Sequence, residues 1–333
     1  MRVTRRSLLL GAAAAAAAQS RYAVAREITE WIFVSAKPYK DPFNEIELDV
    51  IFRDPQGREQ RVPAFWAGGQ ERRVRYATDA AGRYSFETVC SDTSNQDLHG
   101  RRGAMEVAPY DGTNPLLSRG PVRVATGHRH FEHEDGTPFF WLADTWWMGL
   151  SKRLRWPADF ARLTADRVGK GFTVVQIVAG LYPDMPQFDP RGASEAGFPW
   201  APDYARINPA YFDMADLRIQ HLVDQGLAPC IVGCWGYYLP ILGMARMKQH
   251  WRYLIARWGA HPAIWCLAGE GTMPYYLSAD KERDRAMQRL EVLGVGCWVL
   301  ANTSTICGEY ARTHHPEPST RLIAPAFRTR SNW

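Results

Sequence analysis

Phe139-Phe140-Trp141-Leu142-Ala143-Asp144-Thr145-Trp146-Trp147 is the stretch on which the fold turns. Its first five residues are apolar without interruption. A strand with one wet face alternates, whereas an unbroken apolar run of this length reads as a parallel strand covered on both faces. Similar runs occupy residues 172–178, 228–232 and 263–268. Helical patterns separate them. Asn208 stands as a cap and Pro209 in the first turn; Phe212, Ala215, Ile219, Leu222 and Val223 then share one face, and Gly226 stops it. A second stripe carries Met244, Met247, Trp251, Leu254, Ile255 and Trp258. Repeated strand–helix units predict a parallel sheet, closed as a (β/α)8 barrel of the TIM type.

That barrel reads as incomplete. A (β/α)8 domain takes about 250 residues, and residues 128–333 number 206. Beyond the four strands, 298–306 is a fifth candidate. After about residue 290 the rhythm stops, with Gly294-Val295-Gly296-Cys297-Trp298 and a tail rich in Pro, Arg, Ser and Thr. The reading is a truncated chain or a shifted frame.

Upstream the period changes. Ile46, Leu48, Val50 and Phe52 interleave with Glu45, Glu47, Asp49 and Arg53, and Asp54-Pro55-Gln56-Gly57 makes a turn. Tyr84, Phe86 and Thr88 alternate again. Short alternating strands with frequent turns predict an antiparallel, immunoglobulin-like β-sandwich over residues 26–108. Residues 109–123 hold Pro109, Asp111-Gly112, Asn114-Pro115 and Gly120-Pro121, a linker by composition. The barrel domain is then 124–333. A short Pro-rich linker is stiff, so the two domains are expected to pack together.

Residues 1–25 read as an export signal. Thr4-Arg5-Arg6-Ser7-Leu8-Leu9-Leu10 is a twin-arginine pattern, in which Arg5 and Arg6 are the recognition pair. An apolar run of 11 residues ends at Ala18, short of the ~20 that a spanning helix needs. Ala23-Val24-Ala25 is a small-x-small cleavage pattern, so cleavage is expected after Ala25. The mature protein is expected to be periplasmic or secreted, with no membrane segment after cleavage.

The chain carries 40 Lys and Arg against 35 Asp and Glu, a formal charge of +5. Setting aside Arg2, Arg5, Arg6 and Arg21 leaves 36 against 35. A near-neutral body has no electrostatic footprint for nucleic acid. Cys90, Cys230, Cys234, Cys266, Cys297 and Cys307 form no C-x-x-C pair, and no Cys/His set has zinc spacing. They read as small buried hydrophobes, with a bridge from Cys230 or Cys234 to Cys266 as the lesser alternative. His128 and His130 read as a barrel-rim pair rather than metal ligands. No metal or cofactor is expected.

In a parallel barrel the site forms at the carboxyl ends of the strands. The first strand is read as ending at Asp144, Trp146 and Trp147. The second includes Gln176 and feeds a long loop with Asp184 and Trp200. The third leads to Trp235 and Tyr237, and the fourth to Glu270 and then Tyr275. Carboxylates ringed by Trp and Tyr suit glycoside chemistry: one acid protonates the leaving oxygen, and aromatic faces stack on sugar rings. Glu270, between two glycines after an apolar strand, is poorly explained as a solvated surface acid. Asp144 has an alternative as a helix cap.

At these motifs the chain resembles two known families. Lys37-Pro38-Tyr39-Lys40-Asp41-Pro42-Phe43-Asn44 and Val62-Pro63-Ala64-Phe65-Trp66 are similar to the small β-sandwich domain ahead of certain glycosidase barrels. Gly120-Pro121-Val122-Arg123-Val124, Asp135-Gly136-Thr137-Pro138-Phe139-Phe140 and Leu142-Ala143-Asp144-Thr145-Trp146-Trp147 resemble the apiosidase-like catalytic domain. The resemblance implies a TIM barrel acting on plant cell-wall polysaccharides. It also implies an acid/base carboxylate after the fourth strand, where Glu270 stands. Many members carry Asp after two glycines, so Ala268-Gly269-Glu270 is a departure. The family's second carboxylate lies on a late strand, and Asp144 is read as a substrate ligand.

The leading reading is an exported glycoside hydrolase with a polysaccharide or oligosaccharide substrate. The alternative is a carbohydrate-binding protein without turnover. A metal-dependent hydrolase on the same fold is disfavoured by the lack of a His/Asp cluster. The oligomeric state is not read from the sequence.

Overall fold

Two patterns of hydrogen bonding divide the chain at the linker. The computed structural model describes residues 19–126, 129–270 and 273–286. The first part contains β1 (Gln19–Val24), β2 (Thr29–Val34), α1 (Pro42–Glu45), β3 (Leu48–Arg53), β4 (Glu59–Pro63), β5 (Phe65–Gly68), β6 (Glu71–Tyr76), β7 (Gly82–Cys90) and β8 (Arg102–Ala108). One sheet has the order β1-β8-β7-β3-β4 and the other β2-β6-β5. The expected alternation is present: Ile46, Leu48, Val50, Phe52, Tyr84, Phe86 and Thr88 are all buried. Trp31 and Phe33 of the small sheet and Val50 and Phe86 of the large one share one apolar cluster. The large sheet departs from the antiparallel expectation, because β1 runs parallel to β8 over six residue pairs. The expected boundary after Ala25 therefore falls inside the folded sheet.

The linker is held at both sides. Its short helix α2 (Pro115–Ser118) is capped by Asn114, whose Oδ1 accepts from the Leu116 N–H at 3.0 Å. Asn114 Nδ2 donates to the Val223 carbonyl, and Arg26 donates to the carbonyls of Leu117 and Ser118.

The second part opens with a small antiparallel sheet of β9 (Val122–Val124), β10 (Phe131–His133) and β11 (Pro138–Phe139). Four parallel strands follow in sequential order: β12 (Ala143–Trp146), β13 (Val174–Val178), β14 (Ala228–Val232) and β15 (Ile264–Cys266). Helices α3 (Ala158–Gly169), α4 (Pro209–Asp224) and α5 (Tyr238–Trp258) alternate with them. The expected stripe of α4 is fully buried from Phe212 to Val223, and Pro209 opens the helix as read. Asn208 holds the cap position, but its side chain donates to the carbonyls of Ala196 and Phe198 instead of capping the helix. In α5 the stripe is buried from Met247 onward, and Gly243 breaks the helix at φ 72°. No described helix is long and apolar enough to cross a membrane.

The opening run 139–147 behaves differently from its reading. It is divided between two sheets. Phe139 pairs with Phe131 in the small antiparallel sheet, and the parallel strand starts only at Ala143. The cause is local: Asp135-Gly136 makes a hairpin turn, with Asp135 Oδ1 accepting from the Thr137 N–H, and returns the chain onto β10. Asp144, Thr145 and Trp146 are consequently strand residues rather than residues past a strand end.

The two parts are clamped together by buried charge. Phe65 of β5 lies in the apolar cluster of the second part. Its ring sits 5.0 Å from the Arg75 guanidinium and 4.8 Å from that of Arg257. Asp216 of α4 accepts from both arginines and from Trp258 Nε1. Burial alone would raise the Asp216 pKa, but the charges of Arg257 and Arg75 outweigh it and hold the carboxylate ionised. Arg252 pairs with Asp49, and Tyr253 Oη donates to the Trp66 carbonyl.

His250 of α5 is fully buried. Its Nε2 lies 2.7 Å from the Gly233 carbonyl, and its Nδ1 accepts from Trp200 Nε1 at 3.3 Å. One nitrogen must donate and the other accept, so the ring is neutral. Burial lowers its pKa to about 4, against the opposing pull of the Gly233 carbonyl. The unfolded chain takes up this proton below about pH 6.5, the folded chain only below about 4. Stability is therefore full above pH 6.5 and declines as pH falls toward 4. His250 alone is expected to remove about 2 kcal/mol between pH 7 and pH 5. Denaturant titrations of the parent and of His250→Gln at both pH values check this; equal pH slopes would contradict it.

Candidate active site

The carboxyl ends of β12–β15 gather the exposed acid Glu270 and a set of aromatic rings in contact with one another. β15 passes into Leu267, Ala268 and Gly269, and Gly269 bridges in parallel to Trp235 beyond β14. The Gly236 N–H donates to the Gly269 carbonyl at 2.7 Å, and the Gly269 N–H donates to the Cys234 carbonyl at 3.0 Å. The Trp235 ring packs closely against this crossing. A Cβ on residue 269 would stand 2.2 Å from it, so only glycine fits. Glu270 follows directly, exposed, with φ 45°. That left-handed backbone is unusual for a side chain of this size and marks a position held by its surroundings.

The rings form one pair and one row of three. Trp147 meets Trp235 edge to face at 5.1 Å. Tyr237 meets Tyr275 at 5.1 Å, and Tyr275 meets Tyr276 at 4.9 Å. Tyr237 is itself buried and donates from Oη to the Tyr182 carbonyl. Burial raises its pKa, and the nearby Asp184 carboxylate adds to the rise. Asp184, exposed at φ 57°, thus stands on the Tyr237 side of the site. Trp147 and Tyr275 are half-buried, and Tyr276 is 40% exposed. Tyr276 is a ring that the sequence-based set leaves out. Its signal was the Pro274-Tyr275-Tyr276 run.

Three expected ligands are placed elsewhere. Asp144 shares a strand face with Trp146, and the Trp146 ring packs at 5.2 Å on Phe160 of α3. That face meets the helix layer. The Asp144 carboxylate is ion-paired with Arg167 of α3 and accepts from Trp146 Nε1 and from the Thr145 N–H. Partial burial works against ionisation, but these donors lower its pKa. Asp144 therefore ties β12 to α3, and Trp146, 6% exposed, is a core residue. Trp200 is 1% exposed, wedged against Phe43 of the first part and bonded to His250. It closes the contact between the two parts and offers no stacking face.

Gln176 lies in register with Thr145, Cys230 and Ile264, on the face away from the helices. It hydrogen-bonds Cys266, whose thiol burial pushes up to about 11. The apolar cluster below, with Phe139, Val122, Val174 and Ala228, closes this face from the amino-terminal end. Gln176 sits inside the sheet, beneath the ring pairs. Cys90, Cys230, Cys234 and Cys266 are free thiols, so the alternative bridge is not formed. His130 is exposed in the β9–β10 turn. His128, Cys297, Cys307, Arg5, Arg6 and the strand candidate at 298–306 lie outside the described residues. Among the described residues no group of three or more His, Cys, Asp or Glu could hold a metal ion.

A sheet-rich first part followed by parallel strands with an acid and aromatic rings at their carboxyl ends defines a multidomain protein with a glycoside hydrolase-like catalytic domain. Residues 125–321 match the apiosidase-like catalytic domain, and the chain belongs to that family. Residues 26–91 match a domain of unknown function (DUF5060). The family match continues past residue 290, through the stretch where the strand–helix rhythm is lost. A solved structure from Bacteroides vulgatus, described as a glycoside hydrolase, is similar at 20% identity and a TM-score of 0.64, over 86% of this chain and 55% of that one. The chain thus spans about half the length of this solved protein. A glycoside hydrolase family 5 structure, also from Bacteroides vulgatus, is similar at 17% identity with a TM-score of 0.44, over 58% of this chain and 39% of that one. No curated protein matches the chain.

Proposed function

We propose that this protein is an exported glycoside hydrolase acting on side chains of plant cell-wall type polysaccharides, with Glu270 as its general acid/base. In this reading β12–β15 are the first four strands of a (β/α)8 barrel, and the sheets before the linker are an immunoglobulin-like sandwich. The observation that carries it is the placement of Glu270. It is an exposed carboxyl group on a left-handed backbone, directly after the Gly269 crossing that packs against Trp235, whose ring in turn meets Trp147. Protonated, Glu270 gives its proton to the glycosidic oxygen as the bond to the sugar breaks. Trp147 and Tyr275 offer ring faces to the apolar faces of the sugar. Family membership supports the reaction class. The twin-arginine pattern at Arg5-Arg6 supports a periplasmic or secreted location.

One observation favours the second reading, a carbohydrate-binding protein without turnover. Asp144, the other acid expected at a strand end, is engaged by Arg167 and faces the helix layer. The test measures reducing sugar released from pectic side-chain oligosaccharides alongside the affinity for the same oligosaccharides. Release with turnover establishes the hydrolase. Affinity without release establishes the binding protein, and neither would sink both.

A further inference from the structure

We propose that the cleft between the two parts, at the amino-terminal end of β15, is a second carbohydrate site that takes one neutral sugar unit. β4 and the end of β6 line it from the first part; α2 and the connection from α5 to β15 line it from the other side. Its cavity volume is about 140 Å³. That is below the ~300–1,000 Å³ of sites for drug-sized ligands and suits a single ring. His261 precedes β15 and Glu270 follows it, so the cleft and the candidate active site lie at opposite ends of one strand.

The lining offers donors and acceptors side by side. His261 is 5% exposed, and its Nδ1 finds no hydrogen-bond partner among the described residues. Its backbone is held on both sides: the N–H donates to the Trp258 carbonyl, and the carbonyl accepts from the Ala263 N–H. Burial pushes the imidazole pKa down to about 3, and the charge of Arg75 adds to the fall. The ring is therefore neutral, with one nitrogen a donor and the other an acceptor. Gln60 accepts from Tyr76 Oη at 3.3 Å, which leaves its amide nitrogen as a donor. Arg61, exposed on β4, spends Nε on Asp49 at 2.6 Å, and its two Nη groups bond nothing among the described residues. Asp79 accepts from Arg26 through Oδ1 and keeps Oδ2 as an acceptor. Trp265, half-buried and 5.9 Å from Trp251, supplies an aromatic ring to the lining.

This mixture selects the ligand. Adjacent sugar hydroxyls each donate and accept, which planar amide, guanidinium, imidazole and carboxylate groups answer in pairs. An anion gains less. Arg26 and Arg75 also line the cleft, but Asp79 and Glu134 hold the first, and Glu30 and Asp216 the second. The Asp79 carboxylate repels a negative ligand. A wholly apolar ligand would leave the open donors of Gln60 and Arg61 unanswered.

The test titrates the full chain carrying Trp147→Ala and Tyr275→Ala, which removes the ring faces at the other end of the strands. The probes are D-galactose, D-xylose and L-arabinose, with D-galacturonate as the anionic counterpart. Saturable binding of at least one neutral sugar is expected. Adding Gln60→Ala with Arg61→Ala should weaken it about tenfold or more. No saturable binding, an affinity unmoved by these substitutions, or galacturonate binding tighter than every neutral sugar would overturn the proposal. Hydrogen exchange of the parent with the bound sugar needs no variant to fold. Protection is expected at residues 75–79 and 259–265, and protection confined to 269–276 would overturn the proposal. The site does not depend on turnover. Sugar held in the cleft without turnover or affinity at the carboxyl ends would sink the proposed function and leave this site standing.

Discussion

Replacing Glu270 by glutamine is expected to lower turnover by ~10²–10⁴-fold while oligosaccharide affinity is retained. Glutamine keeps the shape and the strained backbone but has no proton to give. The site separates these two properties physically. In the proposed reading the rings of Trp147 and Tyr275 hold the sugar by stacking, while Glu270 supplies the proton. Glu270→Gly supplies the opposite arm. A left-handed backbone costs a side-chain-bearing residue on the order of 1 kcal/mol that glycine does not incur. The glycine variant should therefore be slightly more stable than the parent and as inactive as the glutamine variant. A residue kept for structural reasons would show the reverse, with lost stability and unchanged rate. Parent and variants are compared by initial rates, oligosaccharide titration and denaturant midpoints. A Glu270→Gln rate equal to the parent's would remove Glu270 from the chemistry.

How much of this site could be read from the sequence depends on how local its causes are. The runs at 174–178 and 228–232 and the helix that opens at Pro209 are decided within a few residues, and they fold as read. Glu270 stands where its glycine-flanked position after an apolar run puts it. The failures share another cause: a distant partner decides them. Phe139–Phe140 is as apolar as a central strand, but the hairpin at Asp135-Gly136 takes Phe139 into a separate small sheet. The later strand start then turns Asp144 and Trp146 toward α3, where Arg167 and Phe160 wait. Trp200 was read as a loop aromatic near sugar. It is buried because Phe43, from the first part, lies against it. Spacing along one chain carries no record of that docking. The same holds for β1, whose six residues read as the end of a leader until the pairing with β8 is seen.

The docking itself yields the second large effect. Asp216→Ala is expected to destabilise the protein by about 3–5 kcal/mol, because it strips a carboxylate from two buried guanidinium groups. The Arg257 side chain is 1% exposed and that of Arg75 13%. Neither can turn to water without leaving Phe65. With Asp216 gone, Arg257 keeps Asp213, whose side chain is 60% exposed and screened by solvent. Arg75 keeps Glu30 on its own side of the interface. The clamp would thus lose an acid that joins β6 to both α4 and α5. Asp213→Ala is the matched control, since an exposed ion pair contributes roughly 0–1 kcal/mol. Denaturant unfolding of both variants measures the contrast. If the clamp holds the two parts as one cooperative unit, the parent unfolds in a single transition and Asp216→Ala separates it into two. The transition of the first part should then move independently of the second. A loss for Asp216→Ala no greater than that for Asp213→Ala would mean that apolar packing around Phe65 and Phe43 holds the interface without the charges. Trp200 would then owe its burial to those rings alone.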